Sequence, residues 1–180
     1  MLDPAAALII IFSIALLLAS AGWHQLRALA DFRATFVAYR LLPVALSARV
    51  AWCVPVSELA IAVLLVMPRS RSAASLAGAG LLLSYAGGIA LNLKRGRREL
   101  DCGCSGPLER RPIAAWMVGR NLLLAAALTL AALPWSPRPL VLIDAVTLIG
   151  GVSIAALLYL AADRLLGQVM PRAAAWKGTS

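Results

Sequence analysis

Two cysteines separated by a single glycine, Cys102-Gly103-Cys104, are the residues of this chain best suited to chemistry. Glycine relaxes the backbone restriction between such close thiols, so the pair can close a small, strained disulfide. Strained and exposed disulfides are labile ones, made and broken by exchange rather than kept as staples. The arginines around the pair favour the thiolate, the form that attacks disulfides and binds metals. The same spacing also fits two reduced thiols in a tight turn. Cys53 is the third and last cysteine, so a four-cysteine zinc site is excluded and no metal site is assigned. A two-coordinate copper(I) site, with His24 as a further ligand, is the alternative that the residue types allow. Cys53 itself is a secondary candidate, either a relay to the loop pair or small apolar filler in a helix.

Glu58 and Arg120 are the other residues of interest, because each stands inside a long apolar block. An ionisable group in such a block is costly and usually faces the interior with a partner. Glu58 lies eight residues past Val50 and Arg120 seven past Ile113. At the rise of an α-helix these depths are roughly 12 and 10 Å, so a buried Glu58–Arg120 pair is geometrically allowed. It would fix which helices pack together, or line a quinone or proton site. Asn121, next to Arg120, is a secondary candidate.

The elements that position these residues are membrane helices. The chain has 180 residues, 62% of them hydrophobic and 14% charged, with a mean hydropathy of +0.86. A soluble domain is about 45–50% apolar and about a quarter charged. The apolar residues fall in blocks near the length of about 20 that crosses a bilayer. The spans are expected at 5–21, 50–67, 73–93, 113–133 and 140–162. The first has only Asp3 before it and no basic leader segment, so it reads as a span or signal anchor. Between the first two spans, Leu29, Phe32, Phe36 and Tyr39 share one helical face with Arg33 and Arg40 at its border. That pattern predicts an amphipathic helix over about 26–40, lying in the interface plane and ended by Pro43. The alternative begins the second span near Leu41 and accepts Arg49 within it. The expected fold is therefore one all-α membrane domain over 1–180: a polytopic bundle of about five spans, a four-helix core plus one, with an interfacial helix. Gly80, Ser84 and Gly88 on the third span, and Thr147, Gly151 and Ala155 on the fifth, recur at the spacing that lets helices approach closely in lipid.

The net charge of +9 and isoelectric point near 10.8 do not indicate nucleic acid, because the basic residues sit between apolar blocks where cations meet lipid headgroups. With five spans, Lys and Arg in the connecting segments divide 13 to 3 between the two sides. The basic side is expected to be cytoplasmic, which puts the N-terminus outside and the C-terminus and the Cys102–Cys104 loop inside.

The loop and its flanks resemble a known family. Leu93-Lys94-Arg95-Gly96-Arg97-Arg98-Glu99-Leu100-Asp101-Cys102-Gly103-Cys104-Ser105-Gly106 is similar to the cysteine loop of MauE-type methylamine utilisation proteins. Pro112-Ile113, Trp116 and Arg120-Asn121-Leu122-Leu123-Leu124 fit the same pattern. Upstream, Gly22-Trp23-His24-Gln25-Leu26, Phe36, Tyr39-Arg40-Leu41-Leu42-Pro43 and the Pro55-to-Glu58 spacing resemble the family's first half, shared more loosely with DoxX-like membrane proteins. Two positions depart from it: Ser105, where an aromatic is usual, and Gln25, where a lysine is common.

The resemblance implies a multi-pass protein of the bacterial inner membrane that serves methylamine utilisation. Its partners would be the lipid bilayer, a thioredoxin-like protein and the disulfide-rich subunit of a periplasmic amine dehydrogenase, with Cys102 and Cys104 as the redox pair. A membrane thiol-disulfide oxidoreductase is the enzyme this describes, with a quinone as the cofactor such a system can use. Two other readings fit the same residues. One is a non-catalytic scaffold or assembly factor for the thioredoxin-like partner; the other is a small-molecule or copper carrier.

Overall fold

The structure, a computed structural model, describes residues 3–101, 112–136 and 138–176, with side chains in the last helix through Gly167. Among these residues the chain is helical, and its seven helices are α1 (Pro4–Arg27), α2 (Leu29–Ala38), α3 (Val44–Val50), α4 (Cys53–Val66), α5 (Arg71–Lys94), α6 (Ala115–Ala131) and α7 (Leu142–Trp176). Four segments are long and apolar enough to cross a membrane: Pro4–Arg27, Val44–Val66, Arg71–Lys94 and Leu142–Gly167. The apolar α6 is shorter, at 17 residues. The protein is an all-helical, multi-pass membrane bundle.

The helix boundaries follow from local chemistry. Asp3 caps α1, its carboxylate accepting from the amides of Ala5 (2.8 Å) and Ala6 (3.4 Å), with Pro4 opening the first turn. After α2 the chain turns sharply through Arg40, whose φ of 49° is rare for a residue with a side chain. Arg95 holds this turn by donating to the Arg40 carbonyl at 3.3 Å. Pro55 has no N–H to give the carbonyl four residues back, so the second span is broken into α3 and α4 by a turn at Ala51 and Trp52. The helical segment therefore starts at Val44 and includes Arg49, as in the alternative placement of this span. Gly96, with φ of 74°, closes α5 by donating to the Leu93 carbonyl.

The core lies among α1, α4, α5 and α6, built from Ile11, Ile14 and Leu18, from Ile61 and Leu65, from Ala79 and Leu82, and from Ala125 and Leu128. Neighbours in this core lie chiefly α1 against α4 and α5 against α6. Helix α7 stands outside the core, mainly beside α1, and turns Leu157, Leu158 and Leu165 outward. This is the arrangement of four core helices plus one. Such outward leucines are favourable when lipid rather than water covers them.

Close approach of helices occurs at particular glycines. A Cβ on Gly151 of α7 would come 2.6 Å from Ile9 Cδ1, and one on Gly78 of α5 would come 2.8 Å from Leu128 Cδ1. Gly80 has nothing within 4 Å. The expected contact stripe of the third span is thus displaced: Gly78 lies against α6, while Gly88 lies beneath Leu41 and Tyr39. At the end of the bundle that holds both helix starts, Arg138 ties α1 to α7, donating to Asp3 Oδ2 and to Asp144 Oδ1 at 2.8 Å each.

Candidate functional site

The middle of the bundle is polar. Glu58 on α4 is 1% exposed, and its Oε1 accepts from the Tyr85 hydroxyl of α5 at 2.6 Å and from Gln25 Nε2 of α1 at 3.4 Å. Gly22 makes this meeting possible, because a Cβ there would stand 2.9 Å from the Pro55 carbonyl oxygen and 3.2 Å from Glu58 Cβ. Without a side chain at Gly22, α1 lies close enough to α4 for Gln25 to reach the carboxylate. Glu58 Oε2 and Gln25 Oε1 are both buried with no hydrogen-bond partner. Such orphaned acceptors are uncommon in folded proteins and call for an explanation at each site.

Arg120 is held separately. Its Nη1 donates to the Tyr159 hydroxyl and to Asp163 Oδ1, both at 2.9 Å and both on α7. The guanidinium carbon also lies 5.3 Å from the Trp116 ring centroid and 5.7 Å from that of Tyr159. This combines an ion pair with two cation–π contacts. The expected direct Glu58–Arg120 pair is therefore not formed. Tyr159 and Asp163, four apart on α7, take the guanidinium, while Tyr85 and Gln25 take the carboxylate. The two residues nevertheless share a cavity of about 240 Å³ that also includes His24, Tyr85, Asn121 and Asp163.

The cysteine loop is fixed at its two ends. Asp101 and Pro112 form an antiparallel bridge, and the Ile113 amide donates to the Leu100 carbonyl at 2.9 Å. Ile113 and Met117 form an apolar cluster with Ile89, against which Tyr39, Leu93 and Leu100 pack. Arg97 joins this stem to the end of α2, donating to the Ala38 carbonyl at 2.8 Å and to Asn92 Oδ1 at 3.1 Å. Cys102 and Cys104 lie outside the described residues. Cys53 is a free, exposed thiol at the start of α4. Asn121 is 4% exposed and lines the shared cavity.

Sequence reasoning did not single out Tyr85, Tyr159 and Asp163. Tyr85 was hidden in an apolar block, and Asp163 falls one residue beyond the expected end of the last span. Gln25, noted in the sequence only as a departure where a lysine is common, is a buried partner of Glu58. Among the described residues no cluster of three or more His, Cys, Asp or Glu side chains could hold a metal ion.

A helical bundle crossing the bilayer several times, with a polar centre and a tethered cysteine loop at one end, defines the class: a polytopic membrane protein whose interior is built to hold polar groups. The chain belongs to the methylamine utilisation protein MauE family, whose model matches residues 3–136. It is 34% identical to the methylamine utilization protein MauE of Methylophilus methylotrophus over 92% of this chain and 88% of that protein. It is 37% identical to the protein of the same name from Paracoccus denitrificans and 38% to that from Paracoccus versutus, in each case over 86% of this chain and 83% of the relative. No solved structure gives a significant match.

Proposed function

We propose that this methylamine utilisation protein acts in the bacterial inner membrane as a thiol-redox component that assists disulfide formation in a periplasmic amine dehydrogenase. The observation that carries the reading is the Cys102-Gly103-Cys104 pair in a loop whose ends are clamped to the bundle by the Asp101–Pro112 bridge. The exchange conserves atoms and electrons. As the Cys102–Cys104 S–S bond forms, a disulfide in a thioredoxin-like partner is reduced to two thiols, receiving two electrons and two protons; the reverse step returns them. Family membership supports the methylamine setting. The excess of Lys and Arg on the loop's side supports an external N-terminus, with the C-terminus and the loop at the cytoplasmic face. Net disulfide formation uses the reverse step: the partner's two thiols give two electrons and two protons to the Cys102–Cys104 disulfide, and a membrane quinone, reduced to its hydroquinone, reoxidises the pair.

The test is maturation of the dehydrogenase in cells whose only copy of this chain carries Cys102→Ser or Cys104→Ser. Each variant is expected to abolish formation of active, correctly bridged enzyme while the membrane protein itself accumulates normally. Full maturation in both variants would leave a scaffolding role and remove the thiol one.

A further inference from the structure

Tyr85 and Asn121 border a second cavity as well, of about 270 Å³, between α2 and the helices α4 and α5. Its wall from α2 and the Tyr39 that follows is mainly aromatic, with Phe32, Phe36 and Tyr39 beside the smaller Thr35, and it extends to the exposed Leu41 and Leu42. At its polar end stands Gln25, 4% exposed, whose Oε1 has no partner. The amide cannot simply be turned over to relieve this, because Nε2 is the atom that donates to Glu58 Oε1. The cavity therefore combines apolar walls with a buried acceptor that lacks a donor. A lipid acyl chain would satisfy the walls and leave that acceptor dry, at a cost of about 1–3 kcal/mol. A flat ring bearing a hydroxyl satisfies both, stacking on the aromatic wall and donating to Gln25 Oε1.

We propose that this cavity binds the ring of a lipid-soluble quinone, and that its reduced, hydroquinone form binds more tightly than the oxidised form. The preference follows from the orphaned atom: a hydroquinone hydroxyl can donate to Gln25 Oε1, and a quinone carbonyl cannot. Asn121 of α6, also among the lining residues, provides a second amide for the ring's polar substituents. The isoprenoid or alkyl tail leaves past Leu41 and Leu42 into the lipid. Cys53, the cysteine among the described residues, does not line the cavity, and no cysteine enters the argument for the site.

The test uses the full chain in lipid nanodiscs and reads saturable quenching of its tryptophan and tyrosine fluorescence by decylubiquinol and decylubiquinone, with protein-free discs as the baseline. Wild type is expected to bind both, the reduced form about tenfold more tightly, the ratio expected from one added hydrogen bond of about 1.4 kcal/mol. Gln25→Leu should abolish that preference. Phe36→Trp should fill the cavity and abolish binding without altering the melting temperature, because no residue of α2 is buried in the core. A variant with Cys53, Cys102 and Cys104 all replaced by serine should bind as wild type does. Absence of saturable binding, equal affinity for the two forms, unchanged binding in Phe36→Trp, or equal competition by decanol would each overturn the proposal.

Discussion

The Tyr85 hydroxyl of α5 and the Glu58 carboxylate of α4 meet at 2.6 Å inside the bundle, with Gln25 of α1 on the same oxygen. Three helices are thereby joined through one atom. Tyr85→Phe removes the shorter bond and leaves a buried carboxylate short of a donor, which costs about 1–3 kcal/mol. Glu58→Gln keeps an oxygen for Tyr85 but sets its NH₂ or carbonyl against Gln25, and should cost less than Glu58→Leu. Thermal unfolding in nanodiscs checks the order. A Tyr85→Phe variant as stable as wild type would show that the contact contributes nothing.

Arg120 answers to α7 and not to Glu58. Breaking a buried ion pair by removing one partner typically costs about 3–5 kcal/mol. These side chains are 15% and 18% exposed, so the lower end of that range is expected. A double-mutant cycle on Arg120→Gln and Asp163→Asn should show a coupling of about 1–3 kcal/mol, whereas the cycle on Arg120→Gln and Glu58→Gln should be near additive. The reverse pattern would restore the direct pair that the matched depths of Glu58 and Arg120 suggest.

The glycines divide sharply. Gly78→Val drives a side chain into Leu128 and Ile61, and Gly151→Val does the same to Ile9, so each should lower stability by about 1–3 kcal/mol. Gly80→Ala meets nothing within 4 Å and should raise helix stability by a fraction of about 1 kcal/mol. Melting temperatures of the three variants decide this. Damage to maturation from Gly80→Ala without loss of stability would mark that open face as a partner's docking site.

At the opposite end of the bundle, the Arg138 guanidinium holds the Asp3 carboxyl below the usual carboxylate range, aided by the two amides that Asp3 caps. A depressed folded-state value means that the link stabilises fully at neutral pH and is lost as the pH falls through that value. Asp3→Asn removes the charge at every pH. The difference in melting temperature between wild type and Asp3→Asn should be widest at neutral pH and shrink on acidification below about 4. A difference that does not change with pH would assign the effect to the helix cap alone.

Much of the bundle could be read from the apolar blocks, because a segment that must satisfy its own backbone in lipid has little choice but a helix. That a helix lies between the first two spans was legible from Phe32, Phe36 and Tyr39 on one face, although Ala28 and Tyr39 set the limits of α2 more tightly than the pattern did. Glu58 and Arg120 announced themselves as charges among leucines. Their partners did not, since Tyr85 and Gln25 are ordinary residues until the helices are placed side by side. Glu58 and Arg120, placed at similar distances along their helices by the residue count, do share a cavity. Depth carries no information on rotation about the helix axis, and rotation turned Arg120 toward Tyr159 and Asp163. Small-residue spacing was a partial guide for the same reason: Gly151 of the expected α7 stripe does approach Ile9, but on α5 Gly78 and Gly80 differ by 200° on the helix, and packing selected the former.

The central claim, that Cys102 and Cys104 form a reversible redox pair, is tested most directly by trapping their oxidation state. Membranes carrying a Cys53→Ser chain would be equilibrated in glutathione buffers of graded potential, alkylated with a heavy maleimide, and separated by size. The account predicts a single two-electron transition from no labels to two, with mass spectrometry locating an intrachain Cys102–Cys104 bridge in the oxidised form. Two labels per chain at every potential would contradict it.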